Sequence, residues 1–451
     1  MSGLVERWRR TEPGGLAALA GAVAGLGLVF VAMELRSPLL LKVRGGALGV
    51  WLVGGLLLGG LAARAVARGR SRRRRAVAAA LLAVAAAALL VGGLGELRFG
   101  AQRRVVHKGS EAERAELGRH LVAGFRSWDE ARVLVDEVLV GGVYVGLHNA
   151  HGLTAAELRA RIAGLRALRA ARGLSPLIVA VDQEGGPVSR LSPPLPRQPA
   201  LATVIADAAS PAERDRRVRA FASEQAAALR ELGANVNFSP VVDLRLHPEA
   251  SALDRYSFIG ARAISADPQV VAAVARSYAE AQLAEGLVPT AKHFPGLGRV
   301  RTDTHFFTAT LATPVQELAA TDWLPFRAIL GAAPTLLMLG HVRVAALDPD
   351  HLAAGSPRLL REVVRGEWGH QGVLITDDLC MAPVFYGPGG LPGFAVAALR
   401  ASVDLLLISY DGTQVYAALA ALLQARRRGE LPDEVLRPSA ERLDHLDALL
   451  R

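Results

Sequence analysis

The chain has 451 residues, with 52 Lys/Arg against 42 Asp/Glu and one cysteine, Cys380. That length exceeds one ordinary domain unless the domain is a barrel, and a lone cysteine excludes an intrachain disulfide. Residues 1–110 hold 17 Lys/Arg and four Asp/Glu, the remainder 35 and 38. The positive charge therefore borders apolar segments, which points to a lipid bilayer and to no nucleic acid.

The N-terminal third contains three apolar runs, Gly14–Leu35, Gly45–Ala63 and Ala76–Leu94. Each approaches the roughly 20 residues that span a bilayer as a helix. The pattern recurs three times without a convincing cleavage site, which argues against a signal peptide. Arg7, Arg9 and Arg10 precede the first run; Arg36, Lys42 and Arg44 follow it; Arg64, Arg68, Arg70 and Arg72–Arg75 follow the second. The last loop is the most basic and is expected in the cytoplasm. Everything after residue 97 is then extracytoplasmic, in a periplasm or other external space. Gly21-xxx-Gly25 and Gly55-xxx-Gly59 would let helices approach closely, although segments this rich in Gly and Ala produce such spacings by composition alone. The expected division is a three-helix membrane anchor over residues 1–100 and a second domain over 101–451.

From about Ser110 strands and helices alternate. Glu111–Phe125 has a helical period, with Leu117, Leu121 and Phe125 on one face. Gly141–Gly146 reads as a strand. Thr154–Arg172 reads as a helix opened by a Thr154/Glu157 capping box. Further strands follow at Leu177–Val181, Asn235–Val242, Leu287–Lys292, Thr335–Leu339, Val373–Thr376 and Leu405–Ser409. Helices lie between them at Pro211–Leu232, Val270–Glu285, Pro357–Trp368 and Gly393–Ala401. About seven such repeats favour an α/β, TIM-type (β/α)8 barrel over an open sheet. Nearly every strand ends in a polar residue: Asp182, Asp243, Lys292, His341, Asp377, Asp411. In a barrel those ends converge on one face.

The densest polar stretch is Lys292–His305. In it Asp303 and His305 are two residues apart, so on an extended loop the carboxylate can orient the imidazole. An isolated pair of this kind can equally do no more than tie a loop down. Asp377-Asp378 follows a strand, so one carboxylate should face the barrel mouth, as nucleophile or cation stabiliser, and the other away; adjacent aspartates also occur as ordinary strand-end polar groups. His293, His305 and His341 could suggest a metal site, but no spacing among them is diagnostic, and Lys292 would oppose a cation. No metal or cofactor is expected.

Lys292-His-Phe-Pro-Gly-x-Gly298 with Asp303-Thr-His305 resembles the signature of glycoside hydrolase family 3, closest to its single-domain β-N-acetylhexosaminidases that act on peptidoglycan fragments. Val181-Asp-Gln-Glu-Gly-Gly-Pro-Val-Ser-Arg190, Asn237-Phe-Ser-Pro-Val-Val-Asp243, Phe258-Ile-Gly-Ala-Arg262 and Ile375-Thr-Asp-Asp-Leu-Cys-Met381 resemble further family segments, in the family's order, over roughly residues 111–451. The resemblance implies a TIM barrel over 101–451. It also implies a retaining exo-β-N-acetylglucosaminidase acting on peptidoglycan or its amino-sugar fragments through a covalent glycosyl-enzyme. Asp377 matches the nucleophile, His305 the acid/base and Asp303 its supporting carboxylate. Asp182, Arg190, Arg262, Lys292 and His293 match residues that hold the non-reducing-end sugar. Leu297 stands where the family usually has histidine, and Pro187 where it usually has arginine; these departures bear on sugar preference or activity. Two alternatives stay open. One is a family 3 β-glucosidase or β-xylosidase, which the histidine dyad disfavours. The other is a non-catalytic, membrane-tethered glycan-binding protein.

Overall fold

The structure is a computed structural model and describes residues 13–69, 71–247 and 256–451. Arg7, Arg9, Arg10 and Arg70 lie outside the described residues. The chain forms two compact units, Met1–Arg104 and Val105–Arg451.

The first unit contains helices α1 (Pro13–Glu34) and α2 (Arg44–Arg68) and all but the last four residues of α3 (Arg72–Lys108). All three expected apolar runs fall on helices long and apolar enough to cross a membrane. Large side chains such as Leu26, Leu57 and Leu61 remain exposed. The glycine spacings are used for packing. A Cβ on Gly21 would come within 2.9 Å of Leu81, one on Gly25 within 2.8 Å of Val84, and one on Gly55 within 2.7 Å of Leu89. Trp51 lies against Gly92 and donates its indole N–H to the Ala88 carbonyl at 2.8 Å. A Cβ on Gly59, the second glycine of the other spacing, would come no closer than 3.7 Å, to the Ala85 methyl.

The second unit is built on eight parallel strands. They are β1 (Leu121–Ala123), β2 (Gly142–Tyr144), β3 (Ile178–Val181), β4 (Val236–Asn237), β5 (Val288–Phe294), β6 (Leu336–Leu339), β7 (Leu374–Thr376) and β8 (Leu406–Ile408). Their spatial order follows the chain from β1 to β7, with β8 beside β1. A parallel bridge between Ile375 and Leu405 links β7 to β8. The sheet is nearly closed, and the architecture is an α/β barrel. Inward residues of successive strands, among them Val122, Ile178, Val236, Met338 and Leu407, form one core. Leu443, Leu446 and Leu450, on or just after the helix Asp433–Leu449, join that core.

One expected element is corrected. The helix read over Glu111–Phe125 stops at Gly118, and Leu121–Ala123 is the first barrel strand. Leu117 is buried at the end of the helix, Leu121 within the strand and Phe125 just past it, so their spacing imitates one helix face although they lie on three different pieces of chain. A Cβ at Gly118 would come within 2.9 Å of the Leu139 backbone. This is the eighth repeat. The other barrel strands fall inside or within two residues of their expected ranges. The Thr154/Glu157 capping box is present. The helix Pro211–Leu232 ends at Gly233 in the left-handed region, φ 95°.

Candidate active site

Strand β5 supplies the centre of the site. All seven of its residues are buried, and its pairing with β6 shifts register between Ala291 and Phe294. Lys292 lies within the strand as expected, and the strand runs on through His293 to Phe294.

Two networks radiate from this pair. Lys292 Nζ lies 2.5 Å from Asp182 Oδ1, just after β3, and 2.6 Å from Glu184 Oε1. The other Asp182 oxygen accepts the Tyr144 hydroxyl at 2.9 Å. Glu184 holds Arg262 in a two-pronged pair, at 2.9 and 2.7 Å. Burial alone would raise the Glu184 pKa, but the Arg262 and Lys292 charges outweigh it and hold this carboxylate below its usual range. His293 Nδ1 sits 2.8 Å from Asp243 Oδ2. Its Nε2 is 3.5 Å from the Arg262 guanidinium, so the two networks meet. Arg190 is exposed, and its backbone N–H donates to the Asp182 carbonyl.

The loop after β5 carries the dyad. His305 Nδ1 lies 2.7 Å from Asp303 Oδ1, which also accepts the His305 backbone N–H at 3.0 Å. Since a carboxylate only accepts, Nδ1 carries a proton and Nε2 is left for other work. Asp303 is 1% exposed while the His305 side chain is 43% exposed. Partial burial lowers the His305 pKa, but the Asp303 hydrogen bond and the Asp377 and Asp303 charges together raise it above the ordinary imidazole value.

Asp377 follows β7. Its Oδ1 accepts the Asp378 N–H at 2.8 Å. Burial would raise its pKa, yet the fields of His293, His341 and His305 hold it below the ordinary carboxylate value. Asp378 faces the other way. It accepts from the backbone N–H groups of Cys380, Ser409 and Tyr410 and from the Ser409 hydroxyl, tying β7 to β8. The expected split of the two aspartates is what the backbone produces.

Leu297 is buried and lies beside Gly340, and its N–H donates to Asp243 Oδ1 at 2.7 Å. That backbone contact helps aim the carboxylate that holds His293. The glycines on either side differ in kind: Gly296 has φ 108°, whereas a Cβ on Gly298 would come within 2.3 Å of the Leu244 carbonyl. Pro187 is exposed at the turn between the short strands Gln183–Gly185 and Val188–Ser189.

The sequence places His341 among the polar strand ends but does not mark Glu184 or Tyr144 as site residues. Glu184 stood inside a quoted segment and its acid was readable; Tyr144 is an aromatic at a strand end with no motif around it. His341 is fully buried, and its Nε2 lies 3.1 Å from the Asp378 carbonyl.

The family model described as "Glycosyl hydrolase family 3 N terminal domain" matches residues 111–446. A protein named beta-hexosaminidase from Stenotrophomonas maltophilia is 36% identical over 253 residues, covering 56% of this chain and 72% of that protein. The solved structure of a glycoside hydrolase family 3 beta-N-acetylglucosaminidase from a Paenibacillus species superposes with a TM-score of 0.68 at 29% identity, over 75% of this chain and 62% of that one. This chain thus spans less than two thirds of that protein. The beta-N-acetylhexosaminidase of Beutenbergia cavernae superposes with a TM-score of 0.67 at 25% identity, over 76% of this chain and 99% of that one.

Proposed function

The chain belongs to glycosyl hydrolase family 3, and from that premise we propose that it removes terminal β-N-acetylglucosamine from peptidoglycan or its fragments, with retention of configuration. It is a glycoside hydrolase, and the shared activity named for its relatives makes it an exo-β-N-acetylhexosaminidase.

The carrying observation is that Asp303 tethers His305 while Asp377, at the end of β7, lies close enough for the charge of each to shift the titration of the other. The His305 Nε2–H donates its proton to the glycosidic oxygen as the bond to the anomeric carbon breaks. The Asp377 carboxylate forms a bond to that carbon, and the leaving group departs as an alcohol. Neutral His305 then takes a proton from water; the water oxygen attacks the anomeric carbon and frees Asp377. Two displacements restore the β configuration. Asp303 keeps Nδ1 protonated and stabilises the imidazolium. Asp182, Lys292, Arg262, His293 and exposed Arg190 hold the hydroxyls and amide of the terminal sugar, with Glu184 and Asp243 fixing their positions.

The full chain in detergent should hydrolyse 4-nitrophenyl N-acetyl-β-glucosaminide and murein disaccharides, and Asp377→Ala should not. Equal inactivity of the two proteins on both substrates would sink this reading.

The anchor is a three-span membrane unit over about residues 1–100, with the barrel domain over 101–451 outside the cytoplasm. Support comes from the apolar helices and the arginines around Arg72–Arg75. A reporter fused after residue 110 should be active only on the extracytoplasmic side. Cytoplasmic activity would reverse the orientation and make fragment recycling the task.

A further inference from the structure

We infer that Tyr256 and Phe306 form the leaving-group subsite, an aromatic platform on which the pyranose ring beyond the scissile bond stacks. The inference rests on His305 as the acid that protonates the departing oxygen. That role puts the leaving group on the side of His305, where these two rings stand.

The Tyr256 ring centroid is 6.3 Å from that of His305 and 5.4 Å from that of Phe306, the two aromatic rings meeting edge to face at 61°. Both side chains are large and open to solvent, Tyr256 at 60% and Phe306 at 51%. Neither belongs to the barrel core, so their apolar faces have no structural use that burial would reveal. They are nonetheless held in place. Asp303 Oδ2 accepts the Tyr256 backbone N–H at 2.9 Å, and the Asp303 carbonyl accepts the Phe306 N–H at 3.1 Å. The residue that orients the acid therefore also anchors both halves of the platform. Tyr256 comes from the segment between β4 and β5 and Phe306 from the loop after β5, so one carboxylate couples two stretches of chain to the proton donor.

The chemistry selects the occupant. The charged holders, Asp182, Lys292 and Arg262, are joined through Glu184 and suit the hydroxyls and amide of the terminal sugar. The platform offers ring faces and one phenol. A β-linked pyranose presents a face of axial C–H bonds that fits such a surface, and stiff aromatic side chains lose little conformational freedom when they are covered. Stacking reads a ring, not its substituents, so the subsite should accept leaving sugars that differ in their side groups.

The test uses the full chain in detergent with three substrates. Chitobiose has a pyranose leaving group, octyl β-N-acetylglucosaminide an alkyl one, and N-acetyl-β-glucosaminyl fluoride a single atom. Phe306→Ala and Tyr256→Ala should lower kcat/KM for chitobiose about five- to tenfold, the scale of one aromatic stack, and leave the fluoride unchanged. Phe306→Tyr should restore chitobiose turnover, and Phe306→Leu should not. Equal losses on chitobiose and fluoride would mean that the rings only support His305, and would overturn the subsite. A greater loss on the octyl glycoside, rescued by Phe306→Leu, would replace the sugar with an alkyl chain and overturn it too. If the unsubstituted protein turned over none of the three, the underlying glycosidase reading would fail and the subsite with it. Fluoride turnover with no effect of either alanine on chitobiose would refute the subsite alone.

Discussion

Each end of the barrel buries a network of charges, and the two differ in what is left over. At the N-terminal end Asp404 precedes β8. One of its oxygens accepts Ser439 and Arg442, the other Arg365 and the Leu374 N–H, and its carbonyl lies 2.8 Å from His120 Nδ1. Every acceptor is occupied. At the C-terminal end the Asp377 carboxylate takes the Asp378 N–H and stands open among three histidines. Burial of charge is common to both ends. Reactivity belongs to the end whose charges have capacity to spare, since a fully paired carboxylate has nothing to offer a substrate.

Three substitutions sharpen this contrast. The largest effect falls on the open end: Asp377→Asn should lower kcat by on the order of 10⁴-fold or more, with the unfolding midpoint little changed. Assays on 4-nitrophenyl N-acetyl-β-glucosaminide beside denaturant titration measure both. At the closed end the effects reverse. Asp404→Ala strands buried Arg442 and half-buried Arg365, cations that have no other acidic partner among the described residues, and should cost about 3–5 kcal/mol of stability. The protein that remains folded should keep its KM. A kinetic defect without a stability loss would erase the distinction.

The smallest change is a shift in pH profile. The proposed mechanism needs Asp377 ionised and His305 protonated, so kcat/KM should fall as pH drops through the lowered Asp377 pKa and as it rises through the raised His305 pKa. Asp303→Asn removes the main influence raising the latter. The alkaline limb should move to lower pH while the acid limb stays. An unmoved alkaline limb would detach Asp303 from the proton donor.

Much of this was legible in the sequence because local rules and burial agreed. Seven of the eight strands are apolar runs bounded by turn residues. The helix Pro211–Leu232 carries its own signals in Ser210, Pro211 and Gly233. The helix expected from Val270 begins at Pro268 because Asp267 accepts the N–H groups of Gln269 and Val270, a cap that the apolar period does not show. Strand β1 was hidden because three buried residues four apart satisfy a helix as well as a three-residue strand between buried neighbours. Within the site, motif positions marked the residues that carry charge, but not who holds whom. Glu184 bridges Lys292 and Arg262 across segments 78 and 108 positions away, a relation that only folding creates. Leu297 stands out in a motif read through side chains, yet its contact with the site is a backbone N–H.

We propose that Asp377, the carboxylate with open capacity, becomes bonded to the sugar. A 5-fluoro glycosyl fluoride of N-acetylglucosamine should slow the second displacement and trap the intermediate. Peptide mass spectrometry after brief incubation should then find one added glycosyl group on the peptide containing Asp377. Glycosylation of Asp303 or Asp182 instead, or steady turnover by Asp377→Ala, would contradict it.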